Sequence, residues 1–507
     1  MNVYTCVARV ARRRRDQVAI RARDRELTYG DLLDTAARFA GYLRRAGLEP
    51  GDRVGLYLHN EPEWIPALLG IWQAGGVAVP FNYLFAPSAL RHAAVDSGAR
   101  WVLALAADLP RLRDALDGAE LADRIITLSP STGACCSFPE AIAGAAATDT
   151  VPRPDGDDAL LMYTSGSTGT PKGVRQTHRN TVAECEAVID VFDLGPADHA
   201  LVCTPLFHVG GLQLMVLPVL LAGGTVTLRR WNVVEWLADV DALRPTVAAL
   251  VPAMMIDIVN HLGERSRELD TIRVCMVGGS AMPQARLATF TALTGVVPVN
   301  IYGQTEQSGL AICERLDEAR RHGSLGRPLE QVVRWQVVPP DSTTPLPAGS
   351  DRVGELWVRG DAVTPGYWRL PEVNERKFQD GWFRTTDLVR EAEDGYLYYV
   401  ERADDMIISG GENIYPQMVE GHLQACPLVA EVAVIGTPHE RYVEQVTAIV
   451  VPARPGVSAE DIAAYCQAQP DLRGLQRPRR IEIVDAIPRT GTNKIDKPAL
   501  KTRFGRS

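Results

Sequence analysis

The segment of the sequence with the clearest chemical character is Tyr163-Thr-Ser-Gly-Ser-Thr-Gly-Thr-Pro-Lys172-Gly173. It follows an apolar run at 159–162 that is typical of a buried strand. Glycines allow successive backbone N–H groups to point into one concavity, and the hydroxyls and Lys172 add donors and a positive charge, so the segment predicts a nest for anionic phosphates. It is not a P-loop, because that motif requires Gly-Lys-Ser/Thr and Pro171 precedes Lys172. A flexible surface linker is the alternative that composition alone leaves open.

Two acidic positions could bind other parts of a nucleotide. Glu306 ends the motif Tyr302-Gly-Gln-Thr-Glu306, and Mg²⁺ bound to ATP takes one or two carboxylates together with phosphate oxygens and waters. Tyr302 could stack on a base. Asp387, in Trp382-Phe-Arg-Thr-Thr-Asp387-Leu388, could accept hydrogen bonds from a vicinal diol such as ribose. Taken singly, a loop Glu is usually solvated and a turn Asp usually caps a turn.

The C-terminal part of the chain carries two further motifs. Residues 402–416 place acids at 404 and 405 before an apolar run and a double glycine, which predicts a linker that can absorb backbone rotation, with an ordinary hairpin as the alternative. Lys494 lies in Pro488-Arg-Thr-Gly-Thr-Asn-Lys494-Ile-Asp-Lys497. Lysines near chain ends are usually exposed and inert, so Lys494 acquires meaning only from its context.

His208, in Pro205-Leu-Phe-His208-Val-Gly-Gly211, has apolar surroundings. A single His in such a setting is more often a satisfied core residue than a catalyst. The two glycines that follow it would leave room for a ligand.

The elements that must position these residues follow a strand–helix–strand rhythm up to about residue 300. The rhythm predicts a largely parallel sheet covered by helices. From about residue 330 short strands separated by turns predict a β-rich section, and after residue 404 helices and strands alternate again in a compact tail. We therefore predict an α/β fold with a large N-terminal domain of parallel-type sheets, a β-rich subdomain at about 330–400 and a small α+β C-terminal domain.

Composition and charge limit the possible classes of protein. The chain has 507 residues and a formal net charge of −9, which argues against a general nucleic-acid binder. Nine scattered cysteines without zinc-ligand spacing are best explained as free thiols in a reducing cytoplasm. The most apolar stretch, 212–228, is interrupted by Pro218 and by Gly223 and Gly224, so we expect a buried helix, turn and strand there and no integral membrane association.

Taken together, the motifs resemble those of the adenylate-forming superfamily, which includes acyl-CoA synthetases, free-standing adenylation domains and beetle luciferases. Five motifs occur in the family's order and at its usual separations, and the resemblance runs from Leu27-Thr-Tyr to Lys494. It implies an enzyme that uses ATP and Mg²⁺ to convert a carboxylic acid into an acyl-AMP and then transfers the acyl group to coenzyme A. It also implies domain boundaries at 1–402 for the AMP-binding domain and 403–507 for a mobile C-terminal domain.

The resemblance further implies a role for each matching residue. The β- and γ-phosphates would be held by Thr164, Ser165, Gly166, Ser167, Thr168, Gly169 and Lys172. The rest of the nucleotide would contact Gly278, Gly279, Ser280, Tyr302, Gly303, Asp387 and Arg402. Mg²⁺ would be held by Glu306 with Thr164. The remaining roles are catalysis by Lys494, His208 and Thr305, a hinge at Asp404, and a thiol tunnel bordered by Gly411. In this family a glycine usually precedes the aspartate that binds ribose, whereas here Thr386 precedes Asp387. Because threonine resists backbone angles that glycine takes, this departure puts the backbone shape next to Asp387 in question.

Three other functions remain open on the sequence alone. The chain could pass the adenylate to an acyl carrier protein or to a non-thiol acceptor such as an amine or an inorganic nitrogen species, or it could be a non-catalytic nucleotide-binding module. The segment 208–211 resembles the synthetase branch, and the Phe-Asp pair of amino-acid-activating domains is not evident. Apolar surroundings near His208 and the lack of an obvious cationic selector favour an aromatic or medium-chain acid.

Overall fold

The computed structural model describes residues 2–22, 25–164, 170–280, 284–321, 323–340, 342–410, 412–469, 472–490 and 495–505. They form two compact units. The first comprises the described residues within 1–166, 170–334 and 358–383, and the second those within 335–357 and 384–507.

The first unit contains most of the helices. Its helices are α1 (Val3–Arg13), α2 (Tyr29–Arg45), α3 (Trp64–Gln73), α4 (Pro87–Ser97), α5 (Leu109–Ala115), α6 (Phe138–Ala143), α7 (His178–Phe192), α8 (Val209–Gly211), α9 (Leu217–Ala222), α10 (Val233–Leu243), α11 (Pro252–Leu262), α12 (Gln284–Thr294) and α13 (Pro371–Lys377). Thr28 caps α2 in a capping box with Asp31.

The strands of the first unit form two sheets. In chain order they are β1 (Val18–Ala22), β2 (Arg25–Thr28), β3 (Arg53–Tyr57), β4 (Val77–Pro80), β5 (Ala99–Ala104), β6 (Ile125–Thr127), β7 (Cys136–Ser137), β8 (Asp158–Thr164), β9 (Lys172–Thr177), β10 (His199–Val202), β11 (Thr225–Leu228), β12 (Val247–Leu250), β13 (Val274–Val277), β14 (Val299–Tyr302), β15 (Ile312–Cys313) and β16 (Ser324–Pro328). One sheet has the order β7-β6-β5-β3-β4-β8-β9, and the other contains β14-β13-β12-β10-β11-β1 as consecutive parallel neighbours.

Most of the parallel strands are largely buried, as expected for a sheet covered by helices on both faces. Strand β12 (Val247–Leu250) and strand β13 (Val274–Val277), for example, contain only buried residues. The predicted α/β rhythm of the N-terminal part is therefore confirmed. The stretch 212–228 forms a π-helical turn, α9, a left-handed Gly223 and β11, which also agrees with the prediction.

The remaining elements include the predicted β-rich section and the C-terminal tail. They are β17 (Arg334–Val338), β18 (Val353–Arg359), β19 (Phe378–Gln379), β20 (Trp382–Glu391), β21 (Leu397–Arg402), β22 (Ile407–Ser409), β23 (Glu412–Ile414), α14 (Pro416–Gln424), β24 (Val429–His439), β25 (Val443–Pro452), α15 (Ala459–Ala468), β26 (Arg480–Ile483) and α16 (Lys497–Phe504). Strands β17, β18, β20 and β21 are neighbours in that order, and a second sheet has the order β23-β22-β25-β24 with β26 beside β25.

The predicted boundary between residues 402 and 403 falls inside the second unit, and it stays a prediction. Mobility of the C-terminal domain likewise stays a prediction. Within the described ranges, the longest and most apolar helices still fall short of what is needed to cross a membrane.

Candidate active site

The predicted phosphate-binding loop connects two strands of an antiparallel hairpin. Thr164 at the end of β8 lies opposite Lys172 at the start of β9, so both residues flank the base of the loop. Residues 165–169 of the prediction lie outside the described part of the chain. The hairpin is anchored by Tyr163, whose hydroxyl donates to Asp96 Oδ2 over 2.6 Å. Burial and this carboxylate raise the pKa of Tyr163, so the phenol stays protonated.

A buried glutamine connects this hairpin to the Tyr302–Glu306 motif. The Gln176 side chain, on β9, is fully buried and donates through Nε2 to the Thr305 carbonyl oxygen over 2.7 Å. Thr305 begins a short 3-10 turn, Thr305–Gln307, and is itself buried. The phosphate hairpin and the loop that carries Glu306 are therefore held together inside the first unit.

Glu306 has a hydroxyl partner. Its Oε1 accepts a hydrogen bond of 2.7 Å from the Tyr367 hydroxyl, and its carbonyl oxygen accepts one of 2.8 Å from the Thr364 N–H. Tyr367 pairs with Val174 of β9 in an antiparallel bridge, and the N–H of the next residue, Trp368, donates to the Gly173 carbonyl over 2.8 Å. The carboxylate is thus oriented by a neutral phenol whose backbone adds to the edge of the hairpin.

The geometry of Glu306 fits a Mg²⁺ ion that is shared with phosphates. Within the described ranges, no cluster of three or more His, Cys, Asp or Glu side chains could hold a metal by itself. Mg²⁺ typically keeps one or two carboxylates and takes its other ligands from phosphate oxygens and water. Glu306 provides one half-buried carboxylate beside the base of the phosphate loop, which is sufficient for a Mg²⁺ ion that takes its other ligands from phosphate and water.

Three predicted site segments leave the same edge of one sheet. His208, Gly278 and Tyr302 lie at or just beyond the carboxyl ends of β10, β13 and β14, strands of one parallel run. Ligands of open α/β sheets bind outside the carboxyl ends of the strands. The structure therefore brings the predicted adenine and acyl segments to one sheet edge, as their chemistry requires.

Glycine at 278 and 303 is explained by close packing of the chain. A Cβ on Gly278 would lie 2.6 Å from the Ile301 carbonyl oxygen, and a Cβ on Gly303 would lie 2.0 Å from that of Gly309. Since real Cβ atoms do not approach oxygen so closely, any larger residue would push apart the loops that follow β13 and β14. Gly279, with φ +87°, and Ser280 follow at the rim.

His208 caps a short helix and is half-buried. Its Nδ1 accepts from the Gly210 N–H over 3.1 Å, so the neutral ring carries its proton on Nε2. The neighbouring Phe207 ring meets Tyr83 edge-on, with centroids 4.9 Å apart. Asn60 holds the loop, because it donates to the Thr204 carbonyl over 3.0 Å and accepts from the Leu206 N–H over 3.1 Å. Nothing in the local sequence indicated a role for Asn60.

In the second unit Asp387 and Arg402 face each other across β20 and β21. Arg402 Nη1 donates to Asp387 Oδ1 over 3.1 Å, and Nη2 donates to the Thr386 hydroxyl over 3.1 Å. Thr386 has φ +65°, the left-handed conformation that glycine adopts most easily. Thr386 therefore adopts the backbone conformation that the replacement of the family's glycine had put in question, and its N–H donates to Glu355 Oε1 over 3.0 Å.

Glu401 and Lys497 form a buried ion cluster that the sequence analysis did not select as a site. Glu401 Oε2 accepts from the Gln417 N–H over 2.7 Å and lies 3.9 Å from Lys497 Nζ, which is 3.2 Å from Glu420 Oε1. Burial raises the pKa of Glu401, and Lys497 counteracts that rise. Burial by itself would lower the pKa of Lys497, but the two glutamates raise it.

This cluster connects the strand before Asp404 to the elements after it. Glu401 lies on β21, Gln417 on α14 and Lys497 on α16. One helical turn further along α16, Lys501 Nζ donates to the Asp404 carbonyl over 3.2 Å and to Asp405 Oδ1 over 3.3 Å. The sequence did contain one signal for these contacts. Lys497 and Lys501 are four residues apart, which places them on one face of a helix. Lys494 and Gly411 themselves lie outside the described residues.

Comparison with known proteins identifies the family. Residues 7–368 match the AMP-binding enzyme family, and residues 418–494 match the AMP-binding enzyme C-terminal domain. The chain therefore belongs to the AMP-binding enzymes, which confirms the predicted resemblance to the adenylate-forming superfamily. It is an ATP-dependent, AMP-forming ligase of the acyl-CoA synthetase branch.

Individual relatives are similar over nearly their whole length. A feruloyl-CoA synthase from an Amycolatopsis species is 37% identical over 492 residues, covering 96% of each chain. The fatty acid–[acyl-carrier-protein] ligase ScoC of Streptomyces coeruleorubidus is 33% identical, covering 96% of this chain and 93% of its own. The crystal structure of ATP-bound MatB from Rhodopseudomonas palustris superposes with a TM-score of 0.91 at 28% identity, covering 100% and 99% of the two chains.

Proposed function

We propose that this protein activates an aromatic carboxylic acid with ATP and Mg²⁺ as an acyl-AMP and transfers the acyl group to coenzyme A. The observation that carries the proposal is the pair of hydrogen bonds, Gln176 to Thr305 and Tyr367 to Glu306, that fixes one carboxylate beside the base of the phosphate loop. The choice of an aromatic acid is supported by the similarity to feruloyl-CoA synthase.

In the first half-reaction a carboxylate oxygen of the acid attacks the α-phosphorus of ATP, and the bond to the β-phosphate oxygen breaks to release pyrophosphate. Such transfers depend mainly on positioning and on stabilisation of charge. We assign the β- and γ-phosphates to the loop from Thr164 to Lys172, with Thr305 as a further contact. Glu306 and the Thr164 hydroxyl would hold Mg²⁺, which supplies positive charge to the phosphate oxygens when it is bound.

The nucleoside is assigned to the residues that the family resemblance implies. In the first unit the backbone at 278–280 and the Tyr302 ring would contact the adenine. In the second unit Asp387 would accept hydrogen bonds from the ribose hydroxyls, with Arg402 holding its carboxylate in place. Lys494 is assigned to the developing negative charge at the α-phosphate, as the family resemblance implies.

The second half-reaction needs a thiol in place of pyrophosphate. The sulfur of coenzyme A attacks the acyl carbon, and AMP leaves with the bonding electron pair. We propose that rotation of the C-terminal domain about Asp404 withdraws Lys494 and brings the segment of Gly411 to the acyl site. His208 would line that site. The nine free cysteines are consistent with action in the cytoplasm, where thiols stay reduced.

The test is a pair of separate half-reaction assays on the full chain. Pyrophosphate release is measured with ATP and a panel of ferulate, benzoate and octanoate, with Mg²⁺ and then with chelator. Thioester formation is measured with coenzyme A and, separately, with an acyl carrier protein. We expect pyrophosphate with an aromatic acid, dependence on Mg²⁺, and a thioester with coenzyme A.

Each alternative function has its own outcome in these assays. A thioester formed only on the carrier protein would favour the activity named for ScoC, and pyrophosphate without any thioester would favour a nitrogen acceptor. No pyrophosphate with any acid would contradict the proposal. The Lys494→Ala variant should lose adenylate formation but retain thioester formation from supplied acyl-AMP, and equal loss of both steps would contradict the role of Lys494.

A further inference from the structure

The nine cysteines fall into two groups that differ in exposure. Seven are buried, whereas of the two adjacent cysteines Cys135 is exposed and Cys136 is half-buried. Burial raises the pKa of the thiols at Cys203, Cys275 and Cys313 to about 12. Since the thiolate is the reactive form of cysteine, these buried thiols are both shielded and protonated.

Cys136 Sγ lies within hydrogen-bond distance of two groups. The Tyr42 hydroxyl, on α2, is 3.2 Å from Cys136 Sγ, and the Cys135 thiol is 3.9 Å from the same sulfur. A Cys136 thiolate can only accept, so in that state both groups donate to it. Cys136 opens β7, which pairs with β6, and the Cys135 N–H donates to the Ile125 carbonyl over 2.8 Å. The backbone around both thiols is therefore held in a sheet, and the donors are supplied by two different segments.

The protonation states agree with this geometry. The contact with Cys135 and, after it, the contact with Tyr42 outweigh the rise caused by burial and lower the pKa of the Cys136 thiol to about 6. The same contact raises the pKa of Cys135, while burial and then the contact with Cys136 raise the pKa of Tyr42. Glu140 on α6 acts in the opposite direction on Cys136, but its carboxylate accepts from the Ser137 N–H and hydroxyl, each over 2.8 Å.

We propose that Cys136 is a thiol modification site that forms a mixed disulfide with a low-molecular-weight disulfide. The Cys136 thiolate attacks one sulfur of the disulfide RSSR, the Cys136 S–SR bond forms, and the S–S bond of the reagent breaks to release RS⁻. The small disulfide is the only oxidant that the exchange requires. None of the residues assigned to the nucleotide or the acyl group lies on α2, β6, β7 or α6, so this site is separate from the proposed active site.

The neighbouring Cys135 does not resolve the mixed disulfide. Consecutive Cα atoms across a trans peptide are about 3.8 Å apart, whereas disulfides usually span Cα separations of about 4.4–6.8 Å. A bond between Cys135 and Cys136 would therefore require distortion of the strand. The adduct on Cys136 is the end product, and the role of Cys135 is to donate to the reactive sulfur.

The test uses the reduced full chain and oxidised glutathione as the probe, followed by intact mass spectrometry and peptide mapping. We expect one glutathione on Cys136 under native conditions, loss of the adduct in Cys136→Ser, and an unchanged adduct in the buried control Cys466→Ser. An adduct that persists in Cys136→Ser, an adduct that maps to Cys135, or oxidation to an internal Cys135–Cys136 disulfide would overturn the proposal.

Two further variants test the donors without removing the reactive sulfur. Tyr42→Phe and Cys135→Ala should each slow the exchange by about fivefold near pH 6, since the thiolate fraction falls as the pKa rises. Near pH 8 the difference should vanish, because a more basic thiolate is also the better nucleophile. Rates that are unchanged near pH 6, or lowered equally at both pH values, would overturn the assigned role of the donors.

Discussion

Glu306 in the first unit and Glu401 in the second are both glutamates at proposed functional positions, but their surroundings differ. Glu306 is the proposed Mg²⁺ ligand, and Glu401 lies just before the proposed hinge at Asp404. Glu306 is half-buried, and its side-chain partner is a neutral hydroxyl. Glu401 is 3% exposed, accepts two backbone N–H bonds and faces a lysine. Lys497 compensates the charge of Glu401, whereas the Tyr367 hydroxyl beside Glu306 carries no charge, which supports the proposal that Glu306 binds Mg²⁺. A buried carboxylate needs such compensation, because unpaired burial of a charge is very unfavourable.

The largest expected effect is on catalysis at Glu306. Glu306→Gln should lower the rate of adenylate formation by about 10²–10³-fold, because a ligand to the cation that stabilises phosphate charge is lost. The free energy of unfolding should change by less than about 0.5 kcal/mol, since no buried ion pair is broken. Pyrophosphate release and urea denaturation are the measurements. An active variant would remove Glu306 from the metal site.

The next effect is on stability in the second unit. Lys497→Met should lower the free energy of unfolding by about 3 kcal/mol, because Glu401 and Glu420 would remain buried without a cation. The matched control is Lys501→Ala. Its side chain is 38% exposed against 14% for Lys497, so its loss should be below about 1 kcal/mol. Equal losses of unfolding free energy for the two substitutions in urea denaturation would contradict the prediction that Lys497 compensates buried charge.

A third prediction concerns the hydroxyl that orients Glu306. Tyr367→Phe should raise the Mg²⁺ concentration for half-maximal adenylate formation by about tenfold, the usual size of effect when a partner of a metal ligand is removed. The maximal rate at saturating Mg²⁺ should be nearly restored. A loss that excess Mg²⁺ does not restore would mean that Tyr367 acts on the substrate and not through Glu306.

The smallest expected effect is a difference between Glu401 and Glu420, the two glutamates that contact Lys497. Glu401 precedes the proposed hinge at Asp404 and Glu420 follows it, so only Glu401 links elements on its two sides. If the C-terminal domain rotates about Asp404 as proposed, Glu401→Ala should change the ratio of the two half-reaction rates by about threefold, since rotation would break the contact between Glu401 and Lys497. Glu420→Ala should leave the ratio unchanged. A shift of equal size in both variants would contradict a hinge between them.

Much of the fold was accessible from local patterns. The alternation of apolar strands and helices predicted the parallel sheets, and the proline and glycines within 212–228 predicted the helix, turn and strand found there. The resemblance marked Thr386 as the position where the family's usual glycine is replaced, and the structure then showed that the threonine adopts a positive φ. These features depend on residues close together in sequence, where periodicity and backbone preference act directly.

The amino-acid sequence by itself determined the family, the order of the chemical motifs and the α/β class of the fold. Only the tertiary structure decided which partners those motifs meet. Gln176 bonds to Thr305 across 129 positions, and Tyr367 bonds to Glu306 across 61. Such pairs depend on the order of strands within a sheet and on which loops share an edge, and no local pattern encodes that order. The same reason explains why the proposed modification site at Cys136 could be inferred only after the structure placed Tyr42, from a distant helix, beside its sulfur.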